Sequence, residues 1–404
     1  LLDSLNSAYL NNPKLNAERA SMRASKEERN ESISEFLPSV TISGYVAEQE
    51  NTNPGDDTNF RPSEQAMTVE QKIFQGGSGV ANFKKKKYGY ELAEVKLKKI
   101  EQEILLEATK VHADVLLGNK KVSINIMNVD LLERQVETDQ NRLEKGEINL
   151  TDLAQSESSL AGAKANLIIA QNDLLTGIAN FEKIIGKKPS KNIKKIEKIN
   201  LNLPENLAAA YAISNSENPN LKIANLEYKQ SKLDVLIAGS ELSPSATLSY
   251  KIAEQDDISA TVKDRTQQTV TATASWPLFS GGSNFFNLKK TKELKNQKKL
   301  LLEDSRNINE TDVANAWSSY VSSEGVLNSI RSQVKAAEIA NEGITLEYES
   351  GNSSRTTLEV IQSRKILLDS RINLAISERD FLISQFNLLV AVGRLTAEQL
   401  NLKK

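Results

Sequence analysis

The stretch LPSVTIS at residues 37–43 is followed by IFQGGS at 73–78, and both recur later in the same order, as SPSATLS at 243–249 and LFSGGS at 278–283. Three further pairs keep this order: NPKL at 12–15 with NPNL at 218–221, DLAQS at 152–156 with EVIQS at 359–363, and IG at 185–186 with VG at 392–393. The spacing between the two copies stays between 205 and 207 residues. Such a long repeat is a structural half rather than the short unit of a solenoid. The sequence therefore predicts an internal twofold repeat, 1–204 and 205–404.

Each half shows the same order of predicted elements. A shorter helix (13–37 and 219–243) precedes two alternating segments, and a Gly-Gly pair then begins a very long helix. In the first half we predict strands at about 38–47 and 65–74, the long helix at about 79–145 and another helix at about 149–186. In the second half we predict strands at about 244–253 and 267–278 and helices at about 284–350 and 355–393. The polar segments 48–65 and 253–266 are predicted loops, and 187–204 joins the halves.

The lengths of these elements indicate how they pack. A helix of the predicted length spans on the order of 100 Å at about 1.5 Å per residue, and it cannot bury its own apolar side chains. Placed end to end, the shorter helix and the second long helix together have nearly the same length as the first long helix. We therefore expect a coiled-coil-like helical array.

The alternating segments have the length of transmembrane β-strands. In the first of them Val40, Ile42 and Val46 share one face, whereas Thr41 and Ser43 share the other. A soluble sheet with one wet face would show the same alternation, but the Thr/Ser faces and the long acidic loops favour a water-filled barrel. Four strands leave two unpaired edges, which a bilayer does not tolerate. Three chains would supply 12 strands, and oligomerisation then follows from the membrane interpretation.

Composition excludes several classes of function. The 404 residues are 26% charged and 5% aromatic, and a net charge of −2 argues against nucleic acid as a partner. Without cysteine and with one histidine, His112, we expect no metal site, no cofactor and no enzyme. No phosphate-binding loop and no run of 18 apolar residues is present. The chain begins Leu1-Leu2-Asp3, which fits a processed precursor.

Three motifs carry a resemblance to a known family: PSVTIS at 38–43, WPLFSGG at 276–282 and AVGRL at 391–395. Together with the doubled pattern, they make the whole chain resemble the TolC family of outer-membrane efflux and type I secretion channels. The resemblance implies a mainly α fold with β: a homotrimer with a 12-stranded transmembrane β-barrel in the bacterial outer membrane, four strands per chain, continued by a long periplasmic α-helical barrel. It places an equatorial region at 187–204 and 394–404. It also implies two partners, a periplasmic adaptor and an inner-membrane RND or ABC transporter.

The resemblance further implies a gate where each long helix turns into the next. The implied gate residues are Thr151, Asp152, Tyr348 and Arg355. The implied pore constriction consists of Glu359 and Gln362, and the tip that contacts the adaptor includes Gly146 and Gly351. Arg355 and Glu359 fit the family pattern only if two residues within 352–354 are inserted. Because Gln362 stands where a second acid is expected, we expect one carboxylate ring and one amide ring.

Each of these residues also has a simpler interpretation. Arg355 reaching Asp152 or Thr151 of a neighbouring helix would hold the closed state by a charge-assisted hydrogen bond, but Arg355 and Glu359 also have the spacing of an ordinary i,i+4 pair. The two glycines suit helix C-caps. For function we expect a passive exit duct gated at its periplasmic tip, and the alternative is a soluble periplasmic coiled-coil scaffold or adaptor.

Lysines follow the Gly-Gly pair in both halves. Lys84–Lys87 in the first half are mirrored by Lys289, Lys290 and Lys292 in the second. A solvated helix start is one interpretation, and contact with phospholipid headgroups of the periplasmic leaflet is the other.

Overall fold

The computed structural model describes residues 1–53, 56–190, 201–259, 262–350 and 355–402. The first half contains α1 (Leu2–Asn11), α2 (Pro13–Glu31), β1 (Ser39–Val46), β2 (Gln49–Asn53), β3 (Asp56–Phe60), β4 (Ser63–Gln75), α3 (Ser78–Glu144) and α4 (Leu150–Ile185). The second half contains α5 (Leu207–Glu217), α6 (Pro219–Ser240), β5 (Ser245–Ser259), β6 (Val262–Ser275), α7 (Ser283–Glu349) and α8 (Thr357–Val392). No helix within the described ranges is both long and apolar enough to cross a lipid bilayer.

The Asn-Pro pair of each half separates two consecutive helices, α1 from α2 and α5 from α6. The side-chain oxygen of Asn12, and likewise that of Asn218, accepts a hydrogen bond from the N–H two residues further on (3.0 and 2.8 Å). Their amide groups donate to the carbonyls of Ile184 and Ala391 (3.1 and 2.9 Å). Each asparagine therefore caps one helix and fixes it to the end of another. The sequence did not predict the helices before these asparagines, α1 and α5.

The long helices bury positions that are separated by seven residues or by multiples of seven. These positions are Val111, Gly118, Asn125, Leu132 and Asp139 in α3; Val313, Leu327, Val334 and Tyr348 in α7; Ser156, Ala163 and Ala170 in α4; and Ser363, Ser370, Ser377 and Ser384 in α8. A sustained seven-residue spacing keeps one stripe of each helix facing its neighbour and gives a left-handed supercoil. The stripes of α4 and α8 consist of small residues, which allow close helix approach.

The chain folds into two compact units, and each takes residues from both halves. One consists of 1–19, 97–220 and 306–404, and the other of 20–96 and 221–305. The first unit holds the hydrophobic core, where Leu5, Leu105, Phe181, Phe386 and Leu395 are almost fully buried. The second unit holds the sheet.

The main sheet is antiparallel with the order β1-β4-β5-β6, so β4 and β5 join the two halves. One row of opposed residues runs Val40, Val69, Tyr250 and Val270, and the next runs Thr41, Thr68, Lys251 and Thr269. The alternation read from the sequence therefore gives one apolar and one polar face. The apolar face is open in the single chain, where Ile42 is 81% and Val270 69% exposed.

The predicted loops 48–65 and 253–266 contain strands. β2 and β3 form a separate two-stranded sheet in the first segment, and β5 and β6 continue to Ser259 and Val262 in the second. Beyond Ala253 polar residues occupy both faces of the hairpin at 254–257 and 263–267. The alternation of hydropathy ends there, but the backbone ladder continues because its hydrogen bonds do not depend on side-chain polarity.

Candidate functional site

The turn from α3 to α4 ends the long helix with a left-handed glycine. Gly146 has φ +75°, and its N–H donates to the Leu143 carbonyl (2.9 Å). The N–H of Glu147 donates to the Arg142 carbonyl (2.9 Å). These two bonds form the Schellman motif, in which an L-residue with a Cβ would be strained. The C-cap interpretation of Gly146 therefore holds, and the turn is tight.

Both helices that leave the tip begin with the same capping box. The Asn149 side chain accepts from the N–H of Asp152 (3.0 Å), and the Asp152 carboxylate accepts from the N–H of Asn149 (3.3 Å). Thr356 and Glu359 repeat this exchange at 3.3 and 2.8 Å. Both acidic residues predicted for the tip thus stabilise a helix start.

Arg355 lies between two carboxylates of its own chain. Its Nε donates to Glu347 (2.7 Å) and a terminal nitrogen donates to Glu359 (3.1 Å). The hydrogen bond from the Thr356 N–H is the main cause that lowers the pKa of Glu359, and the bond from Arg355 adds to it. These bonds hold the Glu359 carboxylate ionised near the turn.

The other predicted tip residues occupy different environments. Thr151 is exposed on the first turn of α4, and Gln362 is exposed on the second turn of α8. Within the described part of the chain, the side chain of Asp152 bonds in its capping box rather than to Arg355. Gly351 lies outside the described residues. The single chain therefore brings Arg355 and Glu359 together but does not join them to Thr151 or Asp152.

Tyr348 is buried inside the tip rather than exposed at its end. Its hydroxyl lies 3.0 Å from the Thr357 hydroxyl and donates to Asp139 over 3.4 Å. The Arg142 guanidinium stands 4.8 Å from the ring centroid. Burial raises the pKa of Tyr348 above its usual value, so the hydroxyl keeps its proton.

Asp139 is the centre of this buried cluster and is fully inaccessible. Besides Tyr348, its carboxylate accepts hydrogen bonds from Ser156 (2.5 Å) and Gln135 (2.9 Å). Arg364 of α8 donates in turn to the Gln135 side chain (3.2 Å). Together with the Tyr348–Thr357 contact, these bonds connect the ends of α3, α4, α7 and α8. Asp139 therefore joins α3 directly to α4 and α7, and α8 is linked to the same cluster through Gln135 and Thr357.

Asp139 was not predicted from the sequence, although a signal was present. Asp139 follows Val111 and Leu132 at multiples of seven residues, on the buried stripe of α3. A carboxylate on such a stripe needs hydrogen-bond donors from the facing helices. The heptad spacing thus identifies a buried polar centre.

The comparison with protein families decides what the chain is. The sequence model of the family described as "Outer membrane efflux protein" matches residues 4–187 and again residues 211–394. The chain belongs to this family. One match falls in each half, which confirms the twofold repeat.

Individual members of the family match along almost the whole chain. BepC, an outer membrane efflux protein of Brucella suis, is 25% identical over 405 residues, which cover 100% of this chain and 87% of BepC. TolC of Vibrio cholerae is 22% identical over 416 residues, covering 98% and 91%. Among solved structures, the CmeC outer membrane channel of Campylobacter jejuni has a similar fold with a TM-score of 0.87 at 12% identity, covering 97% and 85%.

Family membership confirms the main predictions. The chain is an outer-membrane exit duct for efflux, with its helices in the periplasm. Its mainly helical fold with a four-stranded antiparallel sheet is that of the solved channels. Members form trimeric channels that work with efflux pumps, and the family is one of channels rather than enzymes. Nothing in the comparisons favours a soluble scaffold.

Proposed function

We propose that three copies of this chain close one 12-stranded barrel, whose periplasmic helices end in a gate at the α3–α4 and α7–α8 turns. The observation that supports closure is the sheet. Among the described strands, β1 and β6 each pair on one side only, and the apolar face is exposed. Unpaired backbone groups in hydrocarbon cost several kcal/mol each. Pairing β6 of one copy with β1 of the next removes both edges.

The internal repeat supplies the register of this seam. β4 and β6 are equivalent after a shift of 205 residues, and β1 and β5 after a shift of 206. Within the chain, Thr68 of β4 lies opposite Lys251 of β5. Applying the two shifts puts Thr273 of one copy opposite Tyr45 of the next, and Ser275 opposite Ser43. Both predicted pairs join residues of the polar face.

Disulfide trapping tests this seam, and the chain has no native cysteine to interfere. Opposed strand residues lie within the Cα distance that a disulfide spans, about 4.4–6.8 Å. Ser43→Cys/Ser275→Cys is expected to give covalent trimers on a non-reducing gel. Ser43→Cys/Thr269→Cys is the matched control, displaced by six residues or about 20 Å along β6. Equal trapping of both pairs, or of neither, contradicts the proposed closure.

The gate is proposed at Thr151, Asp152, Tyr348 and Arg355, with Glu359 and Gln362 forming the constriction. Three copies of Glu359 around the axis would concentrate negative charge and favour cations, and Gln362 would add an uncharged amide ring. Glu359→Gln is expected to reduce the cation preference measured as a reversal potential in a KCl gradient. Glu157→Gln, an exposed acid of α4, serves as the control. An unchanged reversal potential in Glu359→Gln contradicts the constriction.

The proposed partners are a periplasmic adaptor at the tip, near Gly146 and Gly351, and an inner-membrane RND or ABC transporter behind it. The Cβ position of Gly146 is open, with no atom of the described residues within 4 Å, so a large side chain there would project from the turn. Gly146→Tyr is expected to abolish adaptor binding by the purified channel. Gly146→Asn, which tolerates the left-handed backbone, is expected to retain it. Equal adaptor binding by both variants would contradict the proposal that the glycine turn belongs to the surface that binds the adaptor.

The segments 187–204 and 394–404 are proposed to form the equatorial region. Leu201 from the first and Leu395 and Leu400 from the second are buried in the same hydrophobic core, which supports this grouping. Residues 191–200 and 403–404 lie outside the described residues. Leu395→Ala is expected to make both segments sensitive to limited proteolysis. Increased cleavage of only one segment would contradict the proposal that they form one region.

A further inference from the structure

The first three turns of α3 and α7, directly after the sheet, carry lysines that have no ionic partner among the described residues. We name five of them the lysine collar: Lys84, Lys87, Lys289, Lys290 and Lys292. Among the described residues, no collar lysine has a carboxylate oxygen within 4.0 Å. Two neighbouring lysines differ, because Lys85 is paired with Asp234 (2.6 Å) and Lys86 with Glu28 (2.9 Å). The collar lysines therefore form no close ion pair within the described chain, although Glu91 and Glu293 follow Lys87 and Lys289 by four residues.

The carboxylates that precede each long helix are occupied by asparagine amides. Asn82 donates to Glu35 in the first half, and Asn287 donates to Glu241 in the second (3.0 Å). The two asparagines are equivalent in the repeat, 205 residues apart. In both halves, an uncharged asparagine amide rather than a lysine is therefore the donor to the equivalent glutamate.

Exposed apolar side chains stand directly before the collar on the same helix faces. Three of them are each followed four positions later by a collar lysine: Val80 by Lys84, Phe285 by Lys289 and Phe286 by Lys290. Residues four apart lie one above the other on a helix. The Lys289 ammonium stands 4.5 Å from the Phe285 ring centroid. Apolar groups followed by lysines match the order of hydrocarbon edge and headgroup layer.

The spacing from the sheet also fits a headgroup layer. Lys84 and Lys289 lie six residues after the starts of α3 and α7, about 9 Å along the helix axis. Each headgroup layer of a bilayer is about 5–8 Å thick, and a lysine side chain can extend back towards the membrane. Because the helices are periplasmic, the headgroups within reach are those of the periplasmic leaflet.

We propose that the lysine collar binds the anionic headgroups of phospholipids in the periplasmic leaflet of the outer membrane. The proposal depends on the membrane location of the sheet and not on the gate. The lysine ammonium groups bind the lipid phosphates, and the apolar residues before them contact the acyl chains.

The test compares lipid binding by the purified full-length channel in neutral detergent, measured by native mass spectrometry. The probes are phosphatidylglycerol, phosphatidylcholine and inorganic phosphate. The collar variant is Lys84→Gln/Lys87→Gln/Lys290→Gln/Lys292→Gln, which keeps the Lys289–Phe285 contact. The control is Lys110→Gln/Lys121→Gln/Lys335→Gln/Lys365→Gln, which removes the same charge several helical turns further along or on α8.

Phosphatidylglycerol is expected to bind the wild-type channel more tightly than phosphatidylcholine. The collar variant is expected to bind it at least about tenfold more weakly, because each lysine near an anionic surface contributes about a fivefold factor in affinity. The control and the arginine version of the collar variant are expected to bind as the wild type does. Equal losses in collar and control variants, no loss in the collar variant, or displacement of the lipid by millimolar phosphate would overturn the proposal. If the fourfold variant does not assemble, the test uses the two double variants Lys84→Gln/Lys87→Gln and Lys290→Gln/Lys292→Gln. Wild-type affinity for phosphatidylglycerol in both would overturn the proposal.

Discussion

Replacing Asp139 with alanine removes the acceptor at the centre of the buried cluster that links the helices of the tip. The donors of Ser156 (2.5 Å) and Gln135 (2.9 Å) then lose a charged partner inside the structure. Burial lowers the pKa of the Arg364 guanidinium, and Glu349 and then Asp139 offset this effect, so the replacement removes the smaller of the two carboxylate contributions. The prediction is that the tip opens while the rest of the chain stays folded.

The magnitude follows from the geometry. Hydrogen bonds to a charged group contribute about 1.5–3 kcal/mol each, and Asp139 accepts two at short distance. The third, from Tyr348 at 3.4 Å, is long and contributes little. We therefore expect a loss of about 3–5 kcal/mol in the free energy of local opening, because two buried donors lose their acceptor.

Hydrogen exchange followed by mass spectrometry measures this loss directly. Amides near the ends of α3 and α8 should exchange roughly 10²- to 10³-fold faster in Asp139→Ala, since each 1.4 kcal/mol is a factor of ten. Asp130→Ala is the matched control on the same helix, because Asp130 forms an exposed ion pair with Arg134 (2.9 Å) and such pairs contribute less than about 1 kcal/mol. If exchange at the tip rose no more in Asp139→Ala than in the control, the buried carboxylate would not hold the helices.

Three further predictions concern the gate, a buried histidine and a glycine. Arg355→Gln and Asp152→Asn are each expected to raise single-channel conductance in a planar bilayer, and unchanged conductance in both would remove the proposed gate. Burial lowers the pKa of His112 from 6.5 to about 4, so between these values the unfolded chain binds a proton that the folded chain excludes. The free energy of unfolding should therefore fall by about 3 kcal/mol as pH falls through this range. His112→Gln should flatten the acid-unfolding curve, and an unchanged curve would contradict this prediction. Gly393→Ala should lower Tm more than Gly146→Ala. Both glycines have positive φ, but only at Gly393 would a Cβ lie 2.7 Å from the Glu217 backbone. Equal shifts in Tm would show that this clash relaxes.

The sequence predicted those parts of the fold that a local pattern encodes. The strand faces followed from alternation, since Val40 and Thr41 fall in an apolar and a polar row of the sheet. The helix ends at Gly146 and at Gly393 followed from glycines that adopt a left-handed backbone. The extended β5–β6 hairpin could not be predicted this way, because its outer part is polar on both faces.

The tip was predicted less completely, and the reason is physical. Motif alignment identified Tyr348 and Asp152 by position, but hydrogen-bond partners depend on how helices from distant parts of the chain meet. The bond from Tyr348 to Asp139 joins residues 209 positions apart. The capping role of Asp152 was readable from Asn149 three residues earlier, since that spacing is local.

The serine stripe of α8 has a consequence for the energy of opening. Ser363, Ser370 and Ser384 each donate to a carbonyl of their own helix, at 2.9, 2.7 and 2.8 Å. Their hydroxyl groups thus keep a partner wherever α8 lies relative to its neighbours, and small side chains offer little steric resistance to sliding. The work of shifting α8 therefore lies in its bonds to neighbouring helices rather than in the loss of hydroxyl partners. These bonds include Arg371 with Glu338 and Arg379 with Asp114 (2.8 Å each), and two contacts of the stripe itself, Ser363 with Asn341 (3.2 Å) and Ser384 with Ser323 (2.7 Å).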